Sequence, residues 1–244
     1  MANRDWAPLP SAWINDHGLT KLQWKPGGEG SDNIAGLMAL TAIAHAADAA
    51  SGVARLTYDN LCASTGLSRA KLSSGLDVLK SIRVVEQAPE STRSTYQLVG
   101  FDPQRGWAKL PAKTMYSAGR IAAFADFHLR RAIELDALKL FFLFVARRGR
   151  DTNDANIGYE KIEEYTGIRR VRIKPAISLL ASLSLVYVEH LPSRASAIGI
   201  ANAYRIVGVE PYNHMGTRGR GMNEFDSAAS SNDAGSKPDY GPQL

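Results

Sequence analysis

The residues with the clearest chemical potential are a cluster of cations near position 170. The cluster lies just after the expected glycine turn at Gly167 and consists of Arg169, Arg170, Arg172 and Lys174. An α-helix fits the DNA major groove, and an arginine can bridge guanine O6 and N7 with two hydrogen bonds. If these residues open a helix, the pattern predicts DNA recognition by its first turns. The alternative is a solvated basic helix face.

The sequence offers little for catalysis. The five histidines are scattered, and the single cysteine, Cys62, provides no metal-ligand spacing. Gly27-Gly28-x-Gly30 lacks the lysine and the preceding strand of a phosphate-binding loop. No nucleophile motif is present. We therefore expect no enzyme activity, no cofactor and no metal.

A segment equivalent to the cationic one lies 101 residues earlier. Residues 56–86 and 157–187 share 7 identities in 31 positions without a gap. The same offset aligns Trp6-Ala7-Pro8-Leu9-Pro10 with Trp107-Ala108-Lys109-Leu110-Pro111. These matches predict an internal duplication. In the first copy the positions expected to face outward and touch DNA are Ser68, Arg69, Lys71, Ser73 and Ser74.

Apolar spacing predicts the helices that hold these cations. In the first copy the apolar residues Leu61, Leu67, Leu72, Leu76 and Leu79 place one face of two successive helices in a core. Two helices joined by a glycine turn, the second opening on a polar N-cap, are typical of a helix-turn-helix. Under the offset each of these residues maps to isoleucine or leucine in the second copy.

The flanking patterns in each copy predict a winged helix. In the first copy a helix over 34–51, capped by Ser31 or Asp32, and a strand at 55–57 precede the helix pair. Strands at 84–87 and 94–99 then flank a turn. In the second copy the corresponding long helix, strands and wing are expected at 133–148, 185–189, 203–207 and 192–196. Arg93 and Arg194, at the wing tips, are expected to touch phosphate or the minor groove.

The predicted fold is mostly α with small β-wings, an α+β protein of two tandem winged helix-turn-helix domains. The first domain spans 1–101, with a tryptophan-rich extension over 1–33. The second spans 102–211, and a polar tail over 212–244 is expected to be disordered. The tryptophans Trp6, Trp13 and Trp24 are expected to anchor the extension on the domain, the alternative being base stacking.

Pro175 leaves the start of the second recognition helix open. A proline in a helix interior costs roughly 3 kcal/mol or more. Either the helix begins near Lys174, with Pro175 in its first turn, or it begins earlier and kinks. The choice places Arg169 and Arg170 in a turn or in the helix.

Charge is distributed unevenly along the chain. The net charge of +5 divides into zero over residues 1–101, +7 over 102–208 and −2 over 209–244. If the partner is a polyanion, the second copy should supply most of the attraction. No apolar run approaches the roughly 20 residues of a membrane helix, so no membrane partner is expected. One cysteine and no signal-like start predict a cytoplasmic location, and a DNA-binding role would place the protein at nucleoid or plasmid DNA.

The tandem arrangement, with Tyr58-Asp59-x-Leu61-x-x-x-Thr65-Gly66-Leu67-Ser68-Arg69 in its first unit, resembles the replication initiator proteins of plasmids and related phages. Leu9-Pro10 and Leu110-Pro111, ahead of each long helix, are also similar to phage-type replication proteins. The resemblance covers about residues 6–208. It implies double-stranded DNA as partner, with repeated sites near an origin, and carries a DNA-contact role onto the cations of both copies. It further implies a switch between a homodimer that represses its own gene and a monomer that starts replication, and host replication proteins as partners.

Two alternatives remain open at this point. A transcriptional or partition regulator would use the same scaffold. A protein-interaction adaptor would explain a first copy with no net charge. Since the two recognition helices differ in sequence, one chain should read a composite site of two unlike boxes. If the protein instead dimerises, paired sites should lie about 34 Å or a multiple of it apart.

Overall fold

The computed structural model describes residues 4–25, 29–90, 93–150, 152–192 and 200–209. These residues form a mixed α/β structure with small antiparallel sheets. The elements of the first half are β1 Trp6–Pro10, α1 Ala12–Asn15, a 3-10 turn Gly18–Lys21, α2 Glu29–Ala46, β2 Val53–Leu56, α3 Tyr58–Thr65, α4 Arg69–Ser81, β3 Val85–Glu90 and β4 Arg93–Leu98.

The second half repeats the order of its main elements. It contains β5 Trp107–Pro111, a 3-10 turn Lys113–Met115, β6 Tyr116–Ser117, β7 Arg120–Ile121, a 3-10 turn Ala122–Phe124, α5 Ala132–Arg147, β8 Asp154–Asn156, α6 Tyr159–Thr166, α7 Arg170–Ser182, β9 Val186–Pro192 and β10 Ile200–Ile206. The order from α2 to β4 is therefore that from α5 to β10. The sheets match as well, with strand orders β2-β4-β3 and β8-β10-β9.

The apolar spacing of the helix pairs places its residues in the core as predicted. In the first half Leu61, Leu72 and Leu79 are fully buried. Their equivalents Ile162, Ile173 and Leu180 are fully buried too. Leucine or isoleucine at these spacings lies on one face of each helix, so that α3 and α4 pack on α2, and α6 and α7 pack on α5.

The predicted start of α2 is wrong. The helix includes Glu29, Ser31 and Asp32, so neither Ser31 nor Asp32 caps it, and it ends at Ala46 rather than near 51. Ser31 Oγ and Asp32 Oδ1 instead accept hydrogen bonds from the ammonium group of Lys71. The polar and glycine residues before position 34 are locally typical of a loop. The contacts of Ser31 and Asp32 with Lys71 of α4, about 40 residues away in sequence, favour an earlier helix start.

The two halves are joined through their first strands. β1 pairs antiparallel with β5, with Trp6 opposite Pro111, Pro8 opposite Lys109 and Pro10 opposite Trp107. Pro8 and Lys109 are themselves equivalent under the offset of 101. Each strand therefore pairs with its own counterpart about its own centre, as in a two-fold symmetric contact.

Other contacts between the halves are reciprocal in the same way. Ser11 N–H donates to Gly106 O at 2.9 Å, and its counterpart Ala112 N–H donates to Asp5 O at 2.9 Å. The helix α3 contacts β7, while α6 contacts the equivalent turn Gly18–Lys21. The long helices α2 and α5 contact each other. Reciprocal contacts are the property of an isologous interface, here within one chain.

The tryptophan-rich segment is anchored, and much of its packing is on the opposite half. Trp6 stacks on Trp107 with ring centroids 5.3 Å apart, and Trp13 lies against Phe142 of α5. Leu9, Ile14 and Leu19 of the same segment are fully buried. One hydrophobic core runs through both halves. No helix in the described parts of the chain is both long and apolar enough to cross a bilayer.

Candidate nucleic-acid interface

Each helix pair is joined by a turn that local hydrogen bonds fix. Gly167 ends α6 with φ +67°, and Gly66 ends α3 with φ +75°, a left-handed conformation that glycine adopts without strain. The preceding threonine of each turn is buried. The Thr166 hydroxyl donates to Ile162 O at 2.6 Å and accepts from Ile168 N–H at 3.1 Å. Thr65 makes the same two contacts in the first half. The turn therefore sets where the second helix begins.

The first turn of α7 presents the cationic cluster. The helix begins at Arg170 with Arg169 as its N-cap, and it runs through Pro175 without interruption. Of the two alternatives for Pro175, the start near Lys174 is therefore wrong, because burial of Ile173, Ala176 and Ile177 holds the whole segment against α5. Arg170 lies in the helix and Arg169 at its cap.

Arg169, Arg170 and Lys174 are exposed on the outer face of α7. Between them stands Val171, whose side chain is 80% exposed. The Arg170 guanidinium lies over the ring of Tyr159, 5.7 Å from its centroid. In the described part of the chain no carboxylate lies within ion-pair distance of these three cations. The face therefore carries three positive charges that no carboxylate of the described residues compensates.

Arg172 does not stand free on this face, and its predicted DNA contact stays a prediction. Its Nη2 lies 2.5 Å from Oδ2 of Asp136 on α5, a carboxylate whose side chain is only 6% exposed. The contact is ionic rather than an aligned hydrogen bond. Burial raises the pKa of Asp136, although Arg172 and Lys139 lower it. Arg172 thus stabilises the packing of α7 on α5.

Lys71, the counterpart of Arg172, is paired in the same way. Its Nζ lies 2.7 Å from Asp32 Oδ1 and 2.9 Å from Ser31 Oγ, both near the start of α2. Its side chain is half-buried. In both halves, therefore, the third residue of the second helix of the pair forms an ion pair with the preceding long helix.

The remaining predicted residues of the first half are exposed but already engaged in part. Arg69 Nη2 lies 2.5 Å from Asp59 Oδ1 of α3 on the open surface. The Ser68 hydroxyl caps α4 by accepting from Lys71 N–H at 3.3 Å. Ser74 donates to Ala70 O at 3.3 Å, and Ser73 faces solvent. Compared with α7, the outer face of α4 carries short polar side chains. Its exposed guanidinium, that of Arg69, is paired with the carboxylate of Asp59.

Two charged residues of α5, Lys139 and Asp136, are buried behind α7. Lys139 of α5 donates to Leu22 O at 2.8 Å, and burial lowers its pKa to about 8. Lys139 and Asp136 act on each other across one helical turn, with Arg172 beyond. This group lies inside the fold and links α5, α7 and the N-terminal segment.

The wing residues are only partly described. Arg93 begins β4, but the position of its side chain is not described. Arg194 and the tail over 212–244 lie outside the described residues. Their predicted roles stay predictions.

Sequence reasoning missed the acidic and apolar residues that decide which cations are available. The carboxylates Asp32, Asp59 and Asp136 carry no signal of pairing, since each lies 10 to 39 residues from its partner. Val171 could have been found, because it replaces Ala70 at an outward position under the offset.

No cluster of three or more metal-ligating side chains occurs in the described residues. No protein-family model matches the chain, and no curated protein matches it significantly.

Proposed function

We propose that this protein is a sequence-specific double-stranded DNA-binding protein built from two tandem winged helices, with α7 as its principal recognition helix. The observation that carries the proposal is the exposed, uncompensated set Arg169, Arg170 and Lys174 around Val171 at the start of α7. In helix-turn-helix proteins this part of the second helix enters the major groove.

The energetics of the helix terminus support this proposal. The N-terminal end of a helix carries a partial positive charge, so cations there are unfavourable by about 0.3–1 kcal/mol each. The first turn of α7 has no acidic residue, and its N-cap is Arg169, which makes no capping bond. The equivalent N-cap in α4 is Ser68, which does cap. Replacing such a cap costs about 1 kcal/mol. A phosphate-rich partner would offset both costs.

The two halves would then contribute unequally. The face of α7 offers three cations in reach of phosphates and base edges. The face of α4 offers Arg69, held by Asp59, with Ser73 beside it. The second half would supply most of the affinity, in agreement with its net charge of +7 over residues 102–208.

Among DNA-binding functions we propose initiation of replication on a plasmid or related mobile element, on the resemblance carried by Tyr58 to Arg69 and by the Leu-Pro pairs. A transcriptional or partition regulator would use the same face, and the position of the bound site in the replicon separates these roles. The paired cations of α4 favour one further candidate, an adaptor whose first half contacts protein.

The test is salt-dependent binding of duplex DNA selected from the protein's own replicon. Log K should fall by about 0.9 per neutralised phosphate for each log unit of salt. Arg170→Ala/Lys174→Ala should weaken binding and lower that slope by about 2 if both residues contact phosphate. Arg172 is left unchanged, since it holds α7 on α5.

A matched control is Lys80→Ala/Arg105→Ala, which removes the same charge at two surface cations paired with Asp77 and Asp102. Equal binding by the α7 variant and the control would contradict recognition by α7. Enrichment of repeats beside an origin supports the initiator, and enrichment at a promoter or centromere-like array supports the regulator. No bound duplex at any salt concentration would leave the adaptor.

A further inference from the structure

A cationic cavity lies in the second half, between β5 and the end of α5. Its volume is about 390 Å³, within the range of about 300–1,000 Å³ that small-ligand sites occupy. Four of the described residues that line it are cations, and they come from the segment before β5, from β5 itself and from the end of α5: Arg105, Lys109, Arg148 and Arg150. None of the described lining residues is a carboxylate. Positive charge is therefore gathered around a concave space of small-molecule size.

Contacts with neighbouring oxygens orient two of these arginines. Arg105 Nε lies 3.2 Å from Asp102 Oδ2, and the Arg105 side chain is 88% exposed. Arg148 Nη1 donates to Gly149 O at 3.2 Å. A guanidinium carries five N–H donors in a planar fork, and a phosphate group accepts from two of them at once. Arginines around one cavity therefore suit phosphate recognition.

An aromatic stack forms part of the same wall. Trp107 lines the cavity and stacks on Trp6, while Lys109 Nζ lies 4.8 Å from the centroid of the Trp6 ring. Trp107 Nε1–H donates to Pro103 O at 3.1 Å, which fixes the indole beside the cations. An aromatic wall next to positive charge suits the base and the phosphates of a nucleotide.

The internal duplication indicates that the fold does not need most of these cations. Under the offset of 101, the first half has uncharged residues at three of the four equivalent positions: Pro8, Ala47 and Ala49. Arg105 alone has a cationic counterpart, Arg4, which donates to the backbone of the first half. Since the main elements follow the same order in both halves, the three additional cations are not required to pack β5 on α5.

The open space also differs between the halves. Ala146 lines the cavity, and its counterpart in the first half is His45. The buried His45 ring fills space beside β5, where it lies 2.7 Å from Pro111 O. Alanine in place of histidine removes the volume of a ring from the wall. The second half therefore combines added charge with added space.

The helix dipole does not account for this group of cations. The carboxyl end of a helix carries partial negative charge, which favours Arg148 at the C-cap of α5. Lys109 lies in β5, and Arg150 lies beyond the cap. Like charges that share one cavity repel each other. A bound anion would offset that repulsion.

We propose that this cavity binds a compact polyphosphate group, such as that of a nucleoside triphosphate. A chain of phosphates places several negative charges within a few ångströms, which matches cations that converge on one concave space. A single carboxylate carries too little charge, and duplex DNA spreads its phosphates along a rod that does not enter a cavity of this size. The site is separate from the DNA contacts proposed for α7, because none of its exposed cations is among the described lining residues.

The test is calorimetric titration of the full-length protein with tripolyphosphate, ATP and orthophosphate at about 0.1 M salt, where diffuse surface attraction is screened. Tripolyphosphate and ATP should each saturate a single site, and orthophosphate should bind about tenfold more weakly or worse. Equal affinity for ATP and tripolyphosphate would support the phosphates alone as ligand. Tighter binding of ATP, with a change in tryptophan emission, would support a nucleotide whose base contacts Trp107. No saturable binding of either, or equal binding of orthophosphate, would overturn the proposal.

A cavity variant tests the location of the site. Arg148→Ala/Arg150→Ala introduces the residues that the first half has at these positions, so we expect it to fold. It should weaken tripolyphosphate binding by about tenfold or more, because hydrogen bonds to a charged group are lost. Arg148→Lys/Arg150→Lys keeps the charge without the planar fork, and its affinity should lie between. Should the alanine variant unfold, Arg150→Ala at an exposed position repeats the test.

Two further variants separate this site from general charge and from the proposed function. Lys25→Ala/Lys80→Ala removes the same charge at two exposed ion pairs and should bind tripolyphosphate as the wild type does. Arg170→Ala/Lys174→Ala, the α7 variant, should do so too. A loss in either variant equal to that of the cavity variant would overturn the cavity site. Failure of the protein to bind duplex DNA, with tripolyphosphate binding intact, would contradict the proposed function alone.

Discussion

Arg172 of α7 lies 2.5 Å from the nearly buried carboxylate of Asp136 on α5, and this ion pair joins the two helices. The residue therefore belongs to the fold, although its neighbours Arg170 and Lys174 face outward. We therefore expect substitution of Arg172 to lower stability, and substitution of Arg170 or Lys174 to lower DNA affinity.

Replacing Arg172 by alanine should lower the free energy of unfolding by about 1–3 kcal/mol, since it leaves a buried charge without its partner. Urea unfolding at pH 7 measures this loss. Arg170→Ala, at an exposed position, should stay within about 0.5 kcal/mol of the wild type. Adding Asp136→Asn to Arg172→Ala should recover part of the loss, because it removes the uncompensated carboxylate. Equal stability of the Arg172 and Arg170 variants would argue against a structural role for the pair.

Asp59 should hold back the DNA affinity of the first half. Its carboxylate pairs with Arg69 on the open surface, where such pairs contribute about 0.2–1 kcal/mol. Asp59→Asn should free the guanidinium of Arg69 and remove a negative charge that repels DNA phosphates. Duplex affinity should therefore rise by about two- to fivefold at low salt. Fluorescence anisotropy against salt concentration measures this gain. Asp77→Asn, which frees Lys80 farther along α4, is the control. A gain of the same size in both variants would indicate a general charge effect rather than a contact of Arg69.

His45 should make the fold sensitive to acid. The ring is buried, with Nε2–H donating to Pro111 O at 2.7 Å and Nδ1 accepting from the Tyr116 hydroxyl at 3.2 Å. Burial lowers the pKa of His45 from 6.5 to about 4. Between these pH values the unfolded chain binds a proton that the folded chain does not, so stability falls as pH falls, by up to about 3 kcal/mol.

His45→Gln keeps a donor for Pro111 O and removes the titrating group. The variant should lose less stability than the wild type between pH 6.5 and 4, as followed by urea unfolding at several pH values. His190→Gln, in β9, serves as a control for histidine loss. Parallel curves for the wild type and His45→Gln would show that His45 does not titrate in this window.

The crossing of α2 and α4 should tolerate no side chain at Gly75. A Cβ there would lie 2.7 Å from the backbone carbon of Ala35 and the backbone nitrogen of Gly36. Such overpacking costs about 1–3 kcal/mol, which exceeds the gain of about 1 kcal/mol in helix propensity. Gly75→Ala should therefore lower the Tm, as measured by circular dichroism. Ser73→Ala, at an exposed position of the same helix, should not lower it. The second half has Ala137 and Ala176 at the equivalent positions.

The sequence by itself determined the presence of the two helix pairs and their buried faces. The apolar spacing from Leu61 to Leu79, and from Ile162 to Leu180, predicted the core side of both helix pairs, and the buried residues confirm it. Gly66 and Gly167 predicted the turns, since glycine adopts the left-handed backbone conformation found at both positions. These features depend on contacts within a few residues, which a sequence pattern reports directly. The DNA-binding role itself stays a prediction.

Only the tertiary structure decided which cations are available and how the halves are joined. The local sequence does not distinguish Lys71, Arg69 and Arg172 from Arg170. In the fold, carboxylates that are distant in sequence lie next to the first three cations. The pairing of β1 with β5 joins residues about 100 positions apart through strands that contain proline, a residue that argues against a strand. Periodicity reports which face of an element is buried. It does not report which distant element covers that face. The packing of distant elements decides which cations are paired with carboxylates and how the two halves contact each other.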